Sequence, residues 1–559
     1  MGTLFHMVSR EEAIELGLMK EIGYDAATLG NHEFDLRPDG LARILETAVR
    51  KGEIPAVLCA NAIFNEDDAR DDSLEEVFNK GVVKTYIVLE RDGMRIGLFG
   101  QIGKDAVEKS PFAAPVKFED IHSTSRRMVK QLREEENVDL VICLSHSGLW
   151  PDRAKSEDEV LAEKVPGIDV IVSGHTHTRL PEPIVVESTG TIIVQAWDYG
   201  RHVGVLDLIV GDVGVKLKNY KVVEINDTIK GDAVINEAIE SYIDIINQKV
   251  LKELDLTFHQ TIAETGFDLT IEDRESNLGN MIADAFRWYL NRQENNREDR
   301  VRVAIQSNGL IRSNILKGKT GQISVSDLFR TTPLGIGLDN TPGYPLVSFY
   351  LYASEIKKAI EVPTTIAPVK DNDYLLQSSG IKVKYNPYRM LFDRVTEIYI
   401  EDENGEYRRL DYSGSNRELY KVSSNLYNAT FIKIIGGLTH NILNMTPKDK
   451  DGNPITDLAE ALVDADGETP GIQELKDWKV LMEYVRSFED RDGDGVPEIP
   501  DRYRGTEGRI VREPSLNPYD LLSGGNYITW IALGVVIVVL ISLVLVVYIG
   551  LRIIRRITR

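Results

Sequence analysis

The chain has 559 residues, and its 65 basic and 88 acidic side chains give it a net charge of −23. Apolar residues make up 42% of the chain and charged residues 27%, which is typical of folded proteins and excludes global disorder. Nucleic-acid polymers are bound by lysines and arginines that neutralise phosphates, so the acidity argues against such a partner. The two cysteines, Cys59 and Cys143, lie in apolar runs and are expected to be buried thiols, which excludes a disulfide framework and a cysteine-rich zinc site.

Short apolar runs alternate with helical stretches over residues 1–215, and this alternation predicts a layered α/β domain. The amphipathic pattern of residues 228–254 predicts one long helix that connects this domain to a second α/β domain over residues 255–480. The runs predicted to be strands of the first domain lie near residues 26–30, 56–60, 95–100, 140–146 and 170–175.

Histidines directly follow three of these predicted strands. Ligands of α/β proteins gather at the carboxyl ends of strands, and imidazole nitrogens with an asparagine carbonyl suit Zn²⁺ or Mn²⁺. Three such clusters favour a metal centre over ordinary surface or core histidines. The clusters are Gly30-Asn31-His32-Glu33-Phe34-Asp35, Leu144-Ser145-His146-Ser147-Gly148 and Gly174-His175-Thr176-His177.

In this order and spacing the clusters resemble the calcineurin-like metallophosphoesterase superfamily, and most closely its 5′-nucleotidase branch. The resemblance implies that His32, oriented by Asp35, stabilises the transition state or protonates the leaving group. It also implies two divalent ions, zinc, manganese or similar, which would lower the pKa of a water between them. The implied ligands are Asn31, His146 and His175 for one ion and His177 for its neighbour.

The family begins with an Asp-x-His motif and a Gly-Asp motif whose aspartate bridges both ions, and neither motif precedes Gly30 here. A bridging carboxylate offsets the repulsion between the two cations. We therefore expect that the given sequence starts late and that it hydrolyses phosphoesters negligibly. Residues 1–25 also lack the basic segment and apolar run of an export signal.

Two motifs of the second domain resemble the 5′-nucleotidase C-terminal domain, and the whole resemblance covers roughly residues 1–440. It implies that Arg312 grips the nucleotide, with Arg274 close by, and that two aromatic rings stack on the base. Tyr427 can supply one ring, but Leu334 stands where the family has phenylalanine, and Glu272 where it has arginine. The two motifs are Arg274-Glu275-Ser276-Asn277-Leu278-Gly279-Asn280 and Ser307-Asn308-Gly309-Leu310-Ile311-Arg312.

An acidic loop over residues 490–501 has the ligand spacing of an EF-hand calcium loop, with glycine at its sixth position. The alternative is a solvated acidic turn, because Asp-Gly runs favour turns. The predicted ligands are the carboxylates of Asp490, Asp492, Asp494, Glu498 and Asp501 and the backbone carbonyl of Val496.

Residues 528–551 contain neither charge nor proline and are long enough to cross a membrane as a helix. The four arginines that follow predict a cytoplasmic C terminus, so the rest of the chain is expected to be extracellular or periplasmic. These arginines are Arg552, Arg555, Arg556 and Arg559.

The predicted protein is a single-pass cell-membrane enzyme that hydrolyses nucleotide phosphoesters with the help of metal ions. Two alternatives stay open: a cyclic-nucleotide, dinucleotide or nucleotide-sugar phosphohydrolase of the same fold, and a non-catalytic surface binding protein. The predicted organisation is a layered α-β-β-α metallophosphoesterase domain (1–227), a connecting helix (228–254), an α+β 5′-nucleotidase C-terminal domain (255–480), an acidic spacer (481–527), a transmembrane helix (528–551) and a cytoplasmic tail (552–559).

Overall fold

A computed structural model describes residues 2–52, 54–211, 214–293, 299–368, 372–439 and 443–557. They form two units that meet in the sequence at Leu256 and Thr257, close to the predicted end of the connecting helix. Both units mix helices with sheets, in agreement with the predicted fold class. The first unit carries the three histidine clusters, and the second carries the two motifs with arginines.

The first unit alternates strands and helices along most of its length. Its α-helices are α1 (Ser9–Glu12), α2 (Ile14–Ile22), α3 (Arg37–Lys51), α4 (Asp72–Asn79), α5 (Lys104–Glu108), α6 (Ile121–Lys130), α7 (Glu157–Lys164) and α8 (Ala233–Ile246). Its strands are β1 (Ala26–Thr28), β2 (Ala56–Leu58), β3 (Ala62–Ile63), β4 (Val83–Lys84), β5 (Tyr86–Arg91), β6 (Met94–Ile102), β7 (Lys117–Phe118), β8 (Leu140–His146), β9 (Val170–Ser173), β10 (Ile184–Val185), β11 (Ile192–Val194), β12 (His202–Gly211) and β13 (Gly214–Glu224).

Two sheets of this unit position the histidine clusters. One is parallel with the order β1-β2-β4, and the other has the order β10-β11-β9-β8-β6-β5, in which β6, β8, β9 and β11 run parallel. Helices α6 and α7 cover the larger sheet, where Leu132, Leu161 and Ile171 are fully buried. Strands β1, β8 and β9 each end directly before or within one of the clusters, as the sequence predicted.

Helix α8 lies within the predicted connecting helix and belongs to the first unit. The carboxylate of Asp232 caps its start by accepting hydrogen bonds from the N–H groups of Val234 (2.9 Å) and Ile235 (3.2 Å). The helix continues as one π-helical turn over Asn247–Leu251.

The second unit contains most of the long helices. Its α-helices are α9 (Asn277–Gln293), α10 (Val325–Phe329), α11 (Ala353–Glu361), α12 (Leu426–Leu438), α13 (Asp477–Arg486), α14 (Pro518–Leu522) and α15 (Tyr527–Ile557). Its strands are β14 (Thr261–Glu264), β15 (Val303–Ser307), β16 (Gln322–Ser324), β17 (Leu346–Tyr352), β18 (Leu376–Ser379), β19 (Ile381–Tyr385), β20 (Val395–Glu401), β21 (Tyr407–Arg409), β22 (Leu419–Asn425) and β23 (Ile510–Arg512).

Two four-stranded sheets build this unit, with the orders β17-β22-β15-β18 and β21-β20-β19-β23. Residues of both sheets, such as Val347, Ile381 and Ile398, share one buried apolar cluster with Ile360 of α11. The mixed strand directions agree with the predicted α+β character of this unit.

The range 481–527, which the sequence predicts to be a spacer, packs largely as part of the second unit. Strand β23 pairs in parallel with β19, and Tyr503 and Ile499 are buried. The sequence predicted a spacer because this range is rich in Asp, Gly, Pro and Arg, and its apolar residues do not form a regular helix or strand pattern.

Helix α15 covers the whole predicted span and is long and apolar enough to cross a membrane, as judged by length and composition. Its apolar side chains are exposed, and both Val544 and Val546 are 67% exposed. Of the predicted tail, Arg559 lies outside the described residues. Both cysteines are buried, as predicted.

Candidate active site

The first two histidine clusters meet through a contact between two side chains. The Oδ1 atom of Asn31 lies 2.9 Å from Nε2 of His146, although 115 residues separate them. Gly30 makes this approach possible, because a Cβ atom there would lie 2.7 Å from the His146 ring. The glycine of the first cluster therefore leaves room for the imidazole of the second.

The third cluster contributes His175, whose ring centroid lies 5.1 Å from that of His146. His175 and His177 have φ values of +71° and +50°, in the left-handed region that residues other than glycine rarely adopt. Such conformations cost free energy and persist where the surrounding structure imposes them, often at functional sites. The turn after β9 thus holds both imidazoles at a conformational cost.

His177 is placed differently from the other predicted ligands. Its Nδ1 atom lies 3.5 Å from Oδ2 of Asp198, and its ring lies 5.5 Å from that of Tyr199. The structure therefore joins Asn31, His146 and His175 in one group and turns His177 toward the loop after β11.

His32 and Asp35 form the pair that the sequence predicted, with Nδ1 and Oδ2 2.8 Å apart. A carboxylate only accepts hydrogen bonds, so Nδ1 carries the proton and the second ring nitrogen is left for another partner. The side chain of Asp35 is 8% exposed and that of His32 is 29% exposed. This geometry suits an imidazole that Asp35 fixes through Nδ1 and whose other ring nitrogen can reach solvent or substrate.

Asp105, at the start of α5, is a partner of His175 that sequence reasoning missed. Its Oδ2 atom lies 2.9 Å from Nε2 of His175 and 3.2 Å from Nζ of Lys109. Partial burial opposes its charged form, but these two contacts outweigh that effect and lower the pKa of Asp105 to about 2. No motif in the sequence distinguished Asp105 from the other acidic residues.

Asp158 is a second missed residue, and it supports the loops that carry His146 and His175. Its fully buried carboxylate accepts hydrogen bonds from Ser145 Oγ (2.6 Å), Ser173 Oγ (2.6 Å) and the N–H of Gly148 (3.1 Å). Burial raises the pKa of Asp158 to about 6, although these hydrogen bonds oppose the rise. The signal in the sequence was a carboxylate one turn before Leu161, on the apolar face of α7.

These donors fit divalent metal ions. An amide oxygen and an imidazole nitrogen face each other across 2.9 Å, and a second imidazole is adjacent. Zn²⁺ and Mn²⁺ both accept such mixed N and O ligands. Asn31, His146 and His175 are therefore the residues of the described chain that would hold one ion.

In the second unit, the side chain of Gln377 connects the two arginine-containing motifs by hydrogen bonds. Its Nε2 atom donates to the carbonyl of Arg274 (3.0 Å) and to Oδ1 of Asn308 (2.7 Å), and its Oε1 accepts from the N–H of Ser276 (3.0 Å). The second motif also contacts the start of α12, where Ser307 Oγ donates to Oδ1 of Asn428 (2.8 Å). Gln377 lies outside both motifs and carried no signal of its own.

The three predicted substrate-binding residues differ in their surroundings. Tyr427 stacks against Phe431, with ring centroids 4.7 Å apart, and lies 5.4 Å from Tyr344. These two rings were missed because they do not stand at the family positions. Arg312 donates to the carbonyl of Gly309, and Arg274 forms an exposed ion pair of 2.8 Å with Glu272.

Two protein-family models match the chain. Residues 6–179 match the model of the calcineurin-like phosphoesterase family, and residues 257–430 match that of the 5′-nucleotidase C-terminal domain. The first unit thus contains a calcineurin-like phosphoesterase domain, and the second contains a 5′-nucleotidase C-terminal domain. The two matched ranges fall in the first and second units, respectively.

Several proteins resemble the chain over much of its length. The trifunctional nucleotide phosphoesterase protein YfkN of Bacillus subtilis is 29% identical over 74% of the chain and 28% of its own length. The 5′-nucleotidase of Rattus norvegicus is 29% identical over 68% of the chain and 64% of its own length. The chain thus spans less than two thirds of these two relatives.

A solved structure is similar to the chain over most of its length. The 5′-nucleotidase precursor of Thermus thermophilus has a TM-score of 0.65 and 26% identity, over 92% of this chain and 88% of that one. The sulfate thiohydrolase SoxB of the same organism, at 19% identity and a TM-score of 0.60 over 92% of this chain and 78% of its own, shares the fold.

The structure brings together only some of the predicted calcium ligands. Carboxylate oxygens of Asp492 and Asp494 lie within 4.8 Å of each other and of Glu264, which comes from β14. Asp490 instead accepts hydrogen bonds from the N–H groups of Gly493 and Gly495. The last predicted ligand, Asp501, forms an ion pair of 2.8 Å with Arg504. Glu264 was missed because it lies more than two hundred residues earlier.

Proposed function

We propose that the chain hydrolyses nucleotide phosphoesters of the 5′-nucleotidase type with the help of divalent metal ions. The observation that carries this proposal is the convergence of Asn31, His146 and His175 from three separate strand ends. The family of the chain and the names of its relatives support the same reaction class.

The described residues supply distinct parts of this chemistry. Two bound ions would polarise the phosphoryl group and lower the pKa of a water. His32, held by Asp35, would stabilise the developing negative charge or give a proton to the leaving oxygen. In the second unit, Arg312 and Tyr427 are candidates for binding the nucleotide.

Replacement of His32 by alanine tests the proposal. We expect the rate of AMP hydrolysis with Mn²⁺ or Zn²⁺ to fall by roughly 10²–10⁴-fold, because the group that assists the leaving oxygen is lost. The assay is run on residues 1–559 and on a version extended by Asp-x-His and Gly-Asp motifs before Gly2.

A matched control is His122→Ala, since His122 also pairs with an aspartate, Asp120, at 3.2 Å but lies on α6. In the extended version, His122→Ala should hydrolyse AMP as fast as the protein with both histidines intact. Equal rates for the wild type and His32→Ala would contradict the assigned role. No turnover of any phosphoester by the extended version would favour the non-catalytic alternative.

The substrate class has one open alternative within the same chemistry. Leu334 is 3% exposed where the family places a stacking phenylalanine, and Tyr427 contacts protein rings on at least one side. Weaker stacking on a base would favour cyclic nucleotides, dinucleotides or nucleotide sugars. Comparison of kcat/KM for AMP, cyclic AMP and a nucleotide sugar separates these substrates.

We also propose that α15 anchors the enzyme in the cell membrane, with the two units extracellular or periplasmic. The length and apolar surface of α15 support the anchor, and Arg552, Arg555 and Arg556 at its end support a cytoplasmic C terminus. Protease added to intact cells should remove both units and leave a membrane-bound stub. Protection of the units in intact cells would overturn this topology.

Calcium is a further proposed ligand, bound at the loop that includes Asp492 and Asp494. The EF-hand spacing and the approach of Glu264 support it. With Asp501 paired to Arg504, we expect Glu264 to replace it as the remote ligand and the dissociation constant to be roughly 10⁻⁴–10⁻³ M.

Calorimetry of calcium binding to the whole chain tests this site. Asp492→Asn with Asp494→Asn should abolish the heat, and Glu264→Gln should weaken binding. Asp466→Asn, in another exposed acidic loop, should leave binding unchanged. Heat that survives the double substitution would place calcium elsewhere.

A further inference from the structure

A cavity of about 470 Å³ in the second unit is lined by an unusual number of arginines. It lies beside α9 and α13 and near the segment that leads into β23. We name it the arginine cavity. Its charged lining residues are Arg287, Arg292, Arg300, Arg502, Arg509, Asp284, Glu401 and Glu507.

Two of the five guanidinium groups are neutralised inside the cavity. Arg509 binds both carboxylate oxygens of Asp284, at 2.8 and 2.7 Å, and also contacts Glu507 at 3.0 Å. Arg287 forms an ion pair of 2.6 Å with Glu401. All three acidic residues of the lining are therefore already paired with Arg509 or Arg287.

The other three arginines have no carboxylate within ion-pair distance among the described residues. Arg502 donates to the phenol oxygens of Tyr484 (2.7 Å) and Tyr503 (3.2 Å), which are neutral partners. Arg292 lies over the ring of Trp288, at 5.3 Å from its centroid. Together with Arg300 and the paired Arg287 and Arg509, they give the lining five positive charges against three negative ones, in a protein whose net charge is −23.

From this arrangement we propose that the arginine cavity binds a small phosphorylated molecule. Guanidinium groups match the geometry of phosphate oxygens, and three arginines around one cavity that lack a described carboxylate partner favour a multivalent anion. The volume lies within the range of small-molecule sites, and the ring faces of Trp288 and Tyr407 can contact the organic part of such a ligand.

This cavity is separate from the predicted substrate-binding residues of the same unit. Arg274 lines a different cavity, of about 830 Å³, and neither Arg312 nor Tyr427 lines the arginine cavity. The proposal therefore concerns a second anion site and does not depend on the proposed reaction.

Calorimetry with inorganic pyrophosphate, in EDTA so that metal ions and turnover are absent, tests the proposal on the whole chain in detergent. We expect the wild type to bind and Arg300→Gln with Arg502→Gln to lose at least roughly tenfold in affinity, since charged hydrogen bonds to the anion are removed. Arg408→Gln is the control, because Arg408 is exposed and paired with Asp402 outside the cavity. It should bind as the wild type does.

Arg312→Gln decides between the two anion sites of the unit. Unchanged binding by Arg312→Gln, together with the loss in the double variant, supports the arginine cavity. Loss in Arg312→Gln with normal binding by the double variant would overturn the proposal, and so would a wild type that does not bind pyrophosphate at millimolar concentration. If the double variant fails to fold, Arg292→Gln at the exposed rim replaces it, with the same expected direction.

Discussion

One buried carboxylate, that of Asp158, holds the two loops that carry His146 and His175. Ser145 precedes His146, and Ser173 lies two residues before His175, so both histidines depend on hydroxyl groups that donate to Asp158. The same carboxylate also satisfies the buried N–H of Gly148. Removal of a partner that leaves buried donors unsatisfied costs more than the hydrogen bond itself contributes.

We therefore expect Asp158→Ala to lower the free energy of unfolding of the first unit by about 1–3 kcal/mol and to weaken Zn²⁺ binding. Urea unfolding and a competition assay for zinc measure the two effects. Asp158→Asn keeps one acceptor and should lose less of both. Lys164→Ala, at an exposed position of α7, is the control and should change neither the free energy of unfolding nor the zinc affinity. An unchanged zinc affinity in Asp158→Ala would show that the two loops keep their positions without this carboxylate.

Helix α13 begins with a carboxylate that the sequence pattern does not explain. Asp477 is 1% exposed and accepts hydrogen bonds from the N–H of Trp478 (2.8 Å) and from Asn425 (3.3 Å). Burial raises the pKa of Asp477 to about 8, although these contacts oppose the rise. The rest of the buried face of α13, including Val480 and Leu481, is apolar.

The raised pKa predicts a pH dependence of stability. Between the unfolded pKa near 4 and the folded pKa near 8 the folded state binds one more proton, so the stability of the second unit falls as pH rises through this window. Asp477→Asn stays neutral and should flatten this slope, with a higher Tm than the wild type at pH 9. Thermal unfolding from pH 5 to pH 9 measures it.

Glu403→Gln, at an exposed loop position, is the matched control and should keep the slope of the wild type. A slope that is the same in Asp477→Asn and in the wild type would show that Asp477 is ionised in the folded protein without cost.

At the scale of the whole molecule, hydrogen bonds and ion pairs attach the start of the proposed membrane anchor, α15, to the second unit. Asp393 is fully buried and binds Lys357 (2.9 Å) and Arg389 (3.0 Å), and its Oδ2 atom also accepts from the N–H of Asn526 (3.1 Å) and from Thr529 Oγ1 (2.6 Å). Arg389 in turn donates to carbonyls of α14 and the residue after it. The first turn of α15 is thus attached to the folded unit rather than to a free stalk.

We expect Asp393→Ala to raise hydrogen exchange in residues 515–530 and to lower the free energy of unfolding of the second unit by about 3–5 kcal/mol. Buried Arg389 would lose its counter-charge, and Lys357 would keep only its longer pair of 3.8 Å with Glu361. Hydrogen exchange followed by mass spectrometry measures the local effect. Glu513→Ala removes an exposed pair of 2.9 Å with Lys384 and should cost at most about 1 kcal/mol. Unchanged exchange in Asp393→Ala would mean that the attachment rests on other contacts.

Local patterns were sufficient to predict the alternating strands and helices, the histidine clusters and the apolar helix. Strand β8 ends at His146, and α15 contains the whole predicted span, because alternation, strand-end glycines and long apolar runs are properties of neighbouring residues. The pairing of His32 with Asp35 was predicted from the family resemblance, and the two side chains lie 2.8 Å apart in the structure.

Only the tertiary structure decided which distant groups serve these motifs. Asp105 reaches His175 across 70 residues, Gln377 reaches Ser276 across 101, and Glu264 joins an acidic loop far along the chain. With 88 acidic side chains, the sequence alone does not indicate which few become buried beside a histidine or a guanidinium. Burial and chain topology make that selection, because a carboxylate is stable in the interior only where the fold brings hydrogen-bond donors or cations to it.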